Sequence, residues 1–454
     1  MTTPHDWDDE PWDDEPEFGL ENSDAWFHQP VDSENDEVQV ALLPDGSTLR
    51  LTGPGAGTTV QAATPAEPAR ATLLTRDQAL SGLLPLLLGH RAYTGGDTLP
   101  RILGSIVAAT GGRVALGAVT PLPRATAQSS TTWLGSCLAA SVRIADPAGY
   151  KLDSAIIPGD APSARSLRWW PYMATDPLVP ADVLDAQRQV GANLLLSPGR
   201  AVDPADPQTS LDRAFAEADQ ALAALQAGER LALNLTLPRS WLTRQALRDQ
   251  LLALLLDQEQ FDTWYIRVQW PNTLRSTEQP ADAALLEGYK RLSQLASDEE
   301  RTLLLPQTGL TGWLQLAFGA AGFGSGLPGS DQAFKEPAGG GGGATPIERY
   351  FEPTLLHSVE RTVHETLRTR TGYVPCVCPY CPSLHAAADW RHDLAQLHQL
   401  YWTGRLAGDA AVTGRGGAGG AVRRAVRAAV SAAAGEILVG PSEPRHLPVW
   451  DRLL

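Results

Sequence analysis

Residues 376–402 read CVCPYCPSLHAAADWRHDLAQLHQLYW and hold three of the chain's four cysteines and three of its nine histidines. Thiols packed this closely either form disulfides, bind a metal or stay free. Adjacent disulfide loops across six positions are strained, and four cysteines are too few to frame a chain this long. Free thiols at such density are reactive. A structural zinc site fits better, because a tight turn aims several thiolates at one point and zinc takes four tetrahedral sulfur or nitrogen ligands. Cys376, Cys378 and Cys381 supply three. Cys137 lies far away in an apolar run and reads as a small buried hydrophobe. The fourth ligand is then a histidine: His398, after a helix-like stretch 386–397 that folds back across the turn, is favoured over His385 and His392.

The elements upstream must position this cluster. From residue 151 the pattern becomes regular, with apolar runs that end in turn residues and are followed by amphipathic helices. "LDSAIIPG" and "ANLLLSPGR" read as brief strands, and "RLALNLTLP", "TWYIRVQWP", "RTLLLPQTG" and "AAGFGSGLP" continue the series. Helices are expected with Leu211, Phe215 and Ala218 on one face, from Ser240 to Leu256, and around Leu285, Leu286 and Tyr289. Strands apolar on both faces, alternating with helices, point to a parallel sheet that is closed as a barrel or wound open. Five or six strands fit into residues 150–330, so the remainder must come from elsewhere or be missing. A helix from Pro353 to Thr369 leads into the cysteine cluster. Residues 38–52 read as two short strands around an Asp-Gly turn, and residues 72–150 as a small α+β region containing a short apolar helix, "RDQALSGLLPLLLGH".

The net charge of −16 is concentrated at one end: residues 1–40 carry 14 acids and no Lys or Arg, leaving 38 acids against 36 bases in the rest. Such a segment cannot bury enough surface to offset ordering, so a disordered acidic tail is expected, either solubilising or a docking peptide through Trp7, Trp12 and Phe18. The start lacks a basic region followed by an apolar run. The longest apolar window falls short of the ~18–20 residues that span a bilayer. A cytoplasmic protein without a membrane partner is the expectation. The five glycines at 339–343 lack the Gly-Lys-Ser/Thr of a phosphate loop and read as a loop.

Cys-x-Cys-x-x-Cys followed by a histidine in "LHQLYW" resembles the zinc site of the tRNA-guanine transglycosylase family, whose members share a (β/α)8 barrel. The resemblance implies Cys376, Cys378, Cys381 and His398 as zinc ligands. It also implies base exchange on tRNA or DNA, in which an aspartate attacks the sugar carbon, guanine leaves and a deazaguanine enters. The matching stretch here is "LPQTGLTGWLQLAFGAAGFGSG". Gly319, Phe323 and Ser325 fit the family pattern, whereas the positions of its two aspartates fall on Ala321 and Gly324.

The expected architecture is therefore α/β: a TIM-like (β/α) barrel, incomplete or irregular, with a small N-terminal α+β region and a C-terminal zinc-binding subdomain. The boundaries are 1–40 tail, 41–150 α+β region, 151–373 barrel, 374–410 zinc segment and 411–454 Gly/Ala/Arg-rich extension. A barrel that has lost its nucleophile would serve as a noncatalytic subunit or nucleic-acid-binding protein. The alternatives are an active pentosyltransferase using a relocated carboxylate, Asp153 or Asp331, and a small-molecule barrel enzyme with a structural zinc. Asp153 and Asp331 also read as turn or capping residues. Phosphate contacts would come from Arg415, Arg423, Arg424 and Arg427, which otherwise form a solvated helix face. Trp169, Trp170 and Trp270 are candidates for stacking on bases, or core residues at strand ends.

Overall fold

The computed structural model describes residues 39–42, 48–51, 74–92, 98–159, 161–271, 278–327, 332–336, 347–411 and 418–454. The chain divides into two compact units, Met1–Pro65 and Ala66–Leu454. In the first, the expected hairpin is present as antiparallel β1 (Gln39–Leu42) and β2 (Thr48–Leu51). The acidic segment 1–38, the connection 52–73, the glycine run 339–343, Asp331 and Arg415 lie outside the described residues.

The second unit is built on eight strands: β3 (Leu86–His90), β4 (Ala115–Pro121), β5 (Val142–Asp146), β6 (Leu195–Leu196), β7 (Leu231–Pro238), β8 (Thr263–Gln269), β9 (Thr302–Leu305) and β10 (Gly322–Gly326). Their spatial order is β5-β4-β3-β10-β9-β8-β7-β6, with every pairing parallel. Each strand thus neighbours its predecessor in sequence, and the last returns to the first. This is the order of a TIM barrel. The ring is nearly closed: the remaining seam, between β5 and β6, is bridged by Asn193. Its side chain accepts from the Arg143 N–H (2.7 Å) and donates to the Ser141 carbonyl (2.9 Å), and its own N–H donates to Arg143 O at 2.9 Å.

Three of these strands lie before residue 151, which corrects the expected boundary there. The α+β region of 86–146 is the first three-eighths of the barrel itself. Of the expected short apolar helix, "RDQALSGLLPLLLGH", only Arg76–Leu80 is helical, and "LLLGH" is a fully buried strand. Pro85 removes a backbone donor, and the run that follows is too short and too uniformly apolar to be an amphipathic helix. Conversely, "LDSAIIPG" is no strand: Gly149–Leu152 is a 3-10 turn, capped by Asp153. The strands bury both faces, as expected. Leu86, Leu88, Val119, Ile144, Ala232, Tyr265 and Leu304 meet inside the ring, while the alternate residues pack outward against the helices.

The expected helix 353–369 is only half present. Arg349–Glu352 (β11) and His357–Glu360 (β12) form an antiparallel hairpin, and the helix is confined to Arg361–Arg368. The turn between the strands places Leu356 at φ +47, outside the helical region. After the cysteine turn a short helix, Cys381–Ala386, leads into a long one, His392–Ala410. The long helix packs on the barrel's first helix, Thr98–Thr110. A Cβ on Gly404 would meet Ile106 side-chain atoms at 2.5–2.9 Å, so glycine sets this close approach. Among the described residues no helix is long and apolar enough to cross a membrane.

Candidate metal centre and barrel mouth

Cys376, Cys378, Cys381 and His398 are brought together, with their ligand atoms all within 4.8 Å of one another. His398 Nδ1 lies 3.8, 3.2 and 3.3 Å from the sulfurs of Cys376, Cys378 and Cys381, and the last two sulfurs are 3.3 Å apart. A tetrahedral centre with metal–sulfur bonds of ~2.3 Å would space its ligand atoms about 3.5–3.8 Å apart, so small shifts suffice. His385 and His392 are not part of the group. Cys137 is buried elsewhere, and its thiol is pushed up to about 12 by burial.

Three chain segments build this centre. The cysteine turn gives the thiols, the helix His392–Ala410 gives His398, and β11 orients the ligands from behind. His398 Nε2 donates to the Phe351 carbonyl at 2.7 Å, which leaves Nδ1 free to face the sulfurs. The Tyr350 ring stacks on His398 at 4.3 Å, and its hydroxyl lies 3.1 Å from Cys381 Sγ. Trp402, one turn beyond His398, donates its indole N–H to Cys376 Sγ at 3.1 Å. Sulfur-directed donors around a thiolate set offset its negative charge. Around a bound metal, these four ligands would close a tetrahedral sphere and leave no position for a reacting water.

The other predicted site residues are placed differently. Asp153 is buried, with both carboxylate oxygens occupied: Arg200 donates to them at 2.8 and 2.6 Å, and the Ala201 N–H donates at 2.8 Å. This is a desolvated ion pair in a loop, not a free nucleophile at a strand end. Arg423 donates to the Leu454 carbonyl, and Arg427 pairs with Asp451 at 3.5 Å, so these two turn toward the final helix rather than forming an open basic track. Arg424 lies on the same helix, Ala418–Ala434. Trp170 and Trp270 are core residues whose indoles donate to Ala125 O and Tyr289 Oη.

The C-terminal mouth of the barrel carries residues that the sequence reading passed over. By strand alternation His90 (β3), Asp146 (β5), Thr236 (β7) and Arg267 (β8) follow apolar residues that point into the ring. Arg267 is fully buried, pairs with Asp146 and is ringed by Tyr150, Tyr265 and Phe334 at 4.9–5.6 Å. Asp146 also accepts from the Ala148 N–H at 2.9 Å. On β10 the inward positions are all glycine. At Gly324, where the transglycosylase pattern puts an aspartate, a Cβ would stand 2.3 Å from His90 Nε2 and 2.7 Å from the Gln307 main-chain nitrogen. Ala321, the other such position, is buried at the foot of β10. The signal that was available was a charged or imidazole side chain at or near the end of an apolar strand: His90 in "LLLGH", Asp146 in "VRIAD" and Arg267 in "TWYIRVQ".

No protein-family model matches the sequence, and neither does any curated protein. Among solved structures one match is a crystal structure described as a fructose-1,6-biphosphate aldolase from Coccidioides immitis, at 12% identity and a TM-score of 0.33 over 74% of this chain and 93% of that one. The barrel assignment rests on the strand order of the chain itself.

Proposed function

We propose that this chain is a zinc-stabilised, transglycosylase-like barrel that binds nucleic acid, tRNA or DNA, without the base-exchange nucleophile, as the noncatalytic partner of a catalytic subunit. The observation that carries the reading is the Cys376–Cys378–Cys381–His398 cluster, the ligand set the resemblance implies, standing just past an eight-stranded barrel. Zinc bound there supplies a cross-link that fastens the C-terminal helices to the barrel. The chain's own residues do the rest: Phe351 and Tyr350 fix the imidazole, and Trp402 donates its indole N–H to the Cys376 sulfur.

Loss of base exchange follows from the mouth. The reaction needs a carboxylate placed to attack a sugar carbon. Glycine offers none at 324, the neighbouring imidazole leaves no room for one, and Asp153 is committed to Arg200. The acidic segment 1–40 is the part of the chain we assign to docking on a partner protein.

A gel shift with tRNA and with duplex DNA, at low and moderate salt, tests the binding arm. Incorporation of labelled guanine tests the catalytic one. Saturable binding without incorporation supports the reading; incorporation sensitive to an aspartate substitution restores the active-enzyme alternative. Absence of any shift leaves the second reading, a small-molecule barrel with a structural zinc, which the polar barrel mouth around Arg267 and His90 favours.

A further inference from the structure

The barrel mouth holds polar groups that the metal centre does not use and that a packed core does not require. His90 is 5% exposed, and its Nε2 has no hydrogen-bond partner among the described residues. Leaving such a nitrogen desolvated and unpaired is costly. The Nε of Arg267 is likewise buried without an acceptor, because Asp146 engages the guanidinium only through Nη2. Nη1 reaches the Thr236 hydroxyl at 3.3 Å, so Nε is the guanidinium nitrogen left without an acceptor.

These groups converge where the backbone is unusual. The His90 ring tip and the main-chain nitrogen of Gln307 flank the Cα of Gly324, on a strand whose inward positions carry no side chain. Gln307 sits at φ +50, a left-handed conformation that residues with a Cβ seldom adopt and that collects at ligand sites. Gln307 follows the seventh barrel strand and Gly324 lies on the eighth. The loops after these two strands are where parallel barrels frequently bind anionic groups.

The electrostatics agree. Burial, with Arg267 and Arg124 acting in the same direction, holds the His90 imidazole neutral, down to about 3. A neutral imidazole with its proton on Nε2 is a donor that keeps its place across the physiological range.

We infer that the barrel mouth binds a small oxyanion, a phosphate or carboxylate group, with His90 Nε2–H and the Gln307 N–H flanking one of its oxygens and Arg267 supplying the charge. The site is separate from the metal centre and does not rest on the nucleic-acid reading.

The test uses the full-length, metal-loaded protein. Inorganic phosphate and malonate are titrated separately by calorimetry, with chloride at matched ionic strength as the control. Saturable binding of one probe, tighter than about 10 mM, is expected, and the probe that binds identifies which oxyanion the mouth takes. His90→Phe keeps the ring and removes the nitrogen; it should weaken binding at least about tenfold, with near-ultraviolet circular dichroism and metal content unchanged. His90→Gln, which retains a donor, should recover most of the affinity. Should His90→Phe not fold, His90→Ala, which removes the imidazole and leaves Gly324 and the Gln307 main chain untouched, must abolish binding. Equal effects of phosphate, malonate and chloride, or affinity indifferent to these substitutions, overturn the inference.

Discussion

His398 is held from both sides: its Nε2 donates to the Phe351 carbonyl at 2.7 Å while its Nδ1 faces three cysteine sulfurs at 3.2–3.8 Å. The hairpin β11–β12 and the helix His392–Ala410 are therefore tied through one imidazole. His398→Ala should lose the metal and release this tie. Because structural metal binding is folding energy, the melting temperature should fall by roughly ten degrees or more, a shift of several kcal/mol in a domain of this size. Scanning calorimetry with metal analysis checks this, and Cys137→Ser, which lies outside the cluster, should retain full metal content.

The indole N–H of Trp402 donates to Cys376 Sγ at 3.1 Å. Trp402→Phe keeps the packing and removes the donor. Metal affinity measured by chelator competition should drop about 10–100-fold, the usual effect of losing such an outer partner, while the fold persists at saturating metal. Unchanged affinity would show that the indole only packs.

Asp153 and Arg200 are 6% and 7% exposed at their side chains. Removing one partner of a buried pair strands the other charge and costs about 3–5 kcal/mol. Asp153→Ala should therefore destabilise by that order in denaturant titration, and an Asp153→Ala, Arg200→Met double variant should be less damaged than the single. A catalytic role would instead lower turnover with little change in stability.

The acid limb of stability should be governed by buried neutral histidines. Burial lowers His446 well below its ordinary value, with His357 5.4 Å away adding to the effect; only a main-chain contact to Leu356 opposes it. His357 is itself lowered by burial and by Arg349, against the Pro441 carbonyl and Glu278. Folded values below the unfolded ~6.5 mean that the unfolded chain takes up protons first. The stabilising contribution is complete above pH ~6.5 and is lost as pH falls below it. For His90 that loss runs down to about pH 3. The melting temperature should decline steadily below pH ~6.5, and less steeply in His446→Leu; a flat profile down to pH ~4.5 contradicts this.

Much of the cluster was legible because its chemistry is local: Cys376, Cys378 and Cys381 lie within six residues, and His398 sits at the spacing a short helix can return. The alternation of apolar runs and helices likewise announced a parallel α/β sheet. The strand count was hidden at "LLPLLLGH", where a five-residue run buried on every side has no periodicity to separate strand from helix. Misreading it concealed the first barrel strand and, with it, His90. Asp153 looked like a strand-end carboxylate because nothing local reveals that Arg200, 47 residues on, would claim it. The Asp146–Arg267 pair spans 121 residues and follows only from closing the ring.

X-ray absorption at the zinc edge, on protein purified without added metal, bears most directly on the account. It predicts one zinc per chain, bound by three sulfurs at ~2.3 Å and one nitrogen at ~2.0 Å. A folded protein with no tightly held metal, and with Cys376, Cys378 and Cys381 all titrating freely toward a thiol reagent, would contradict it.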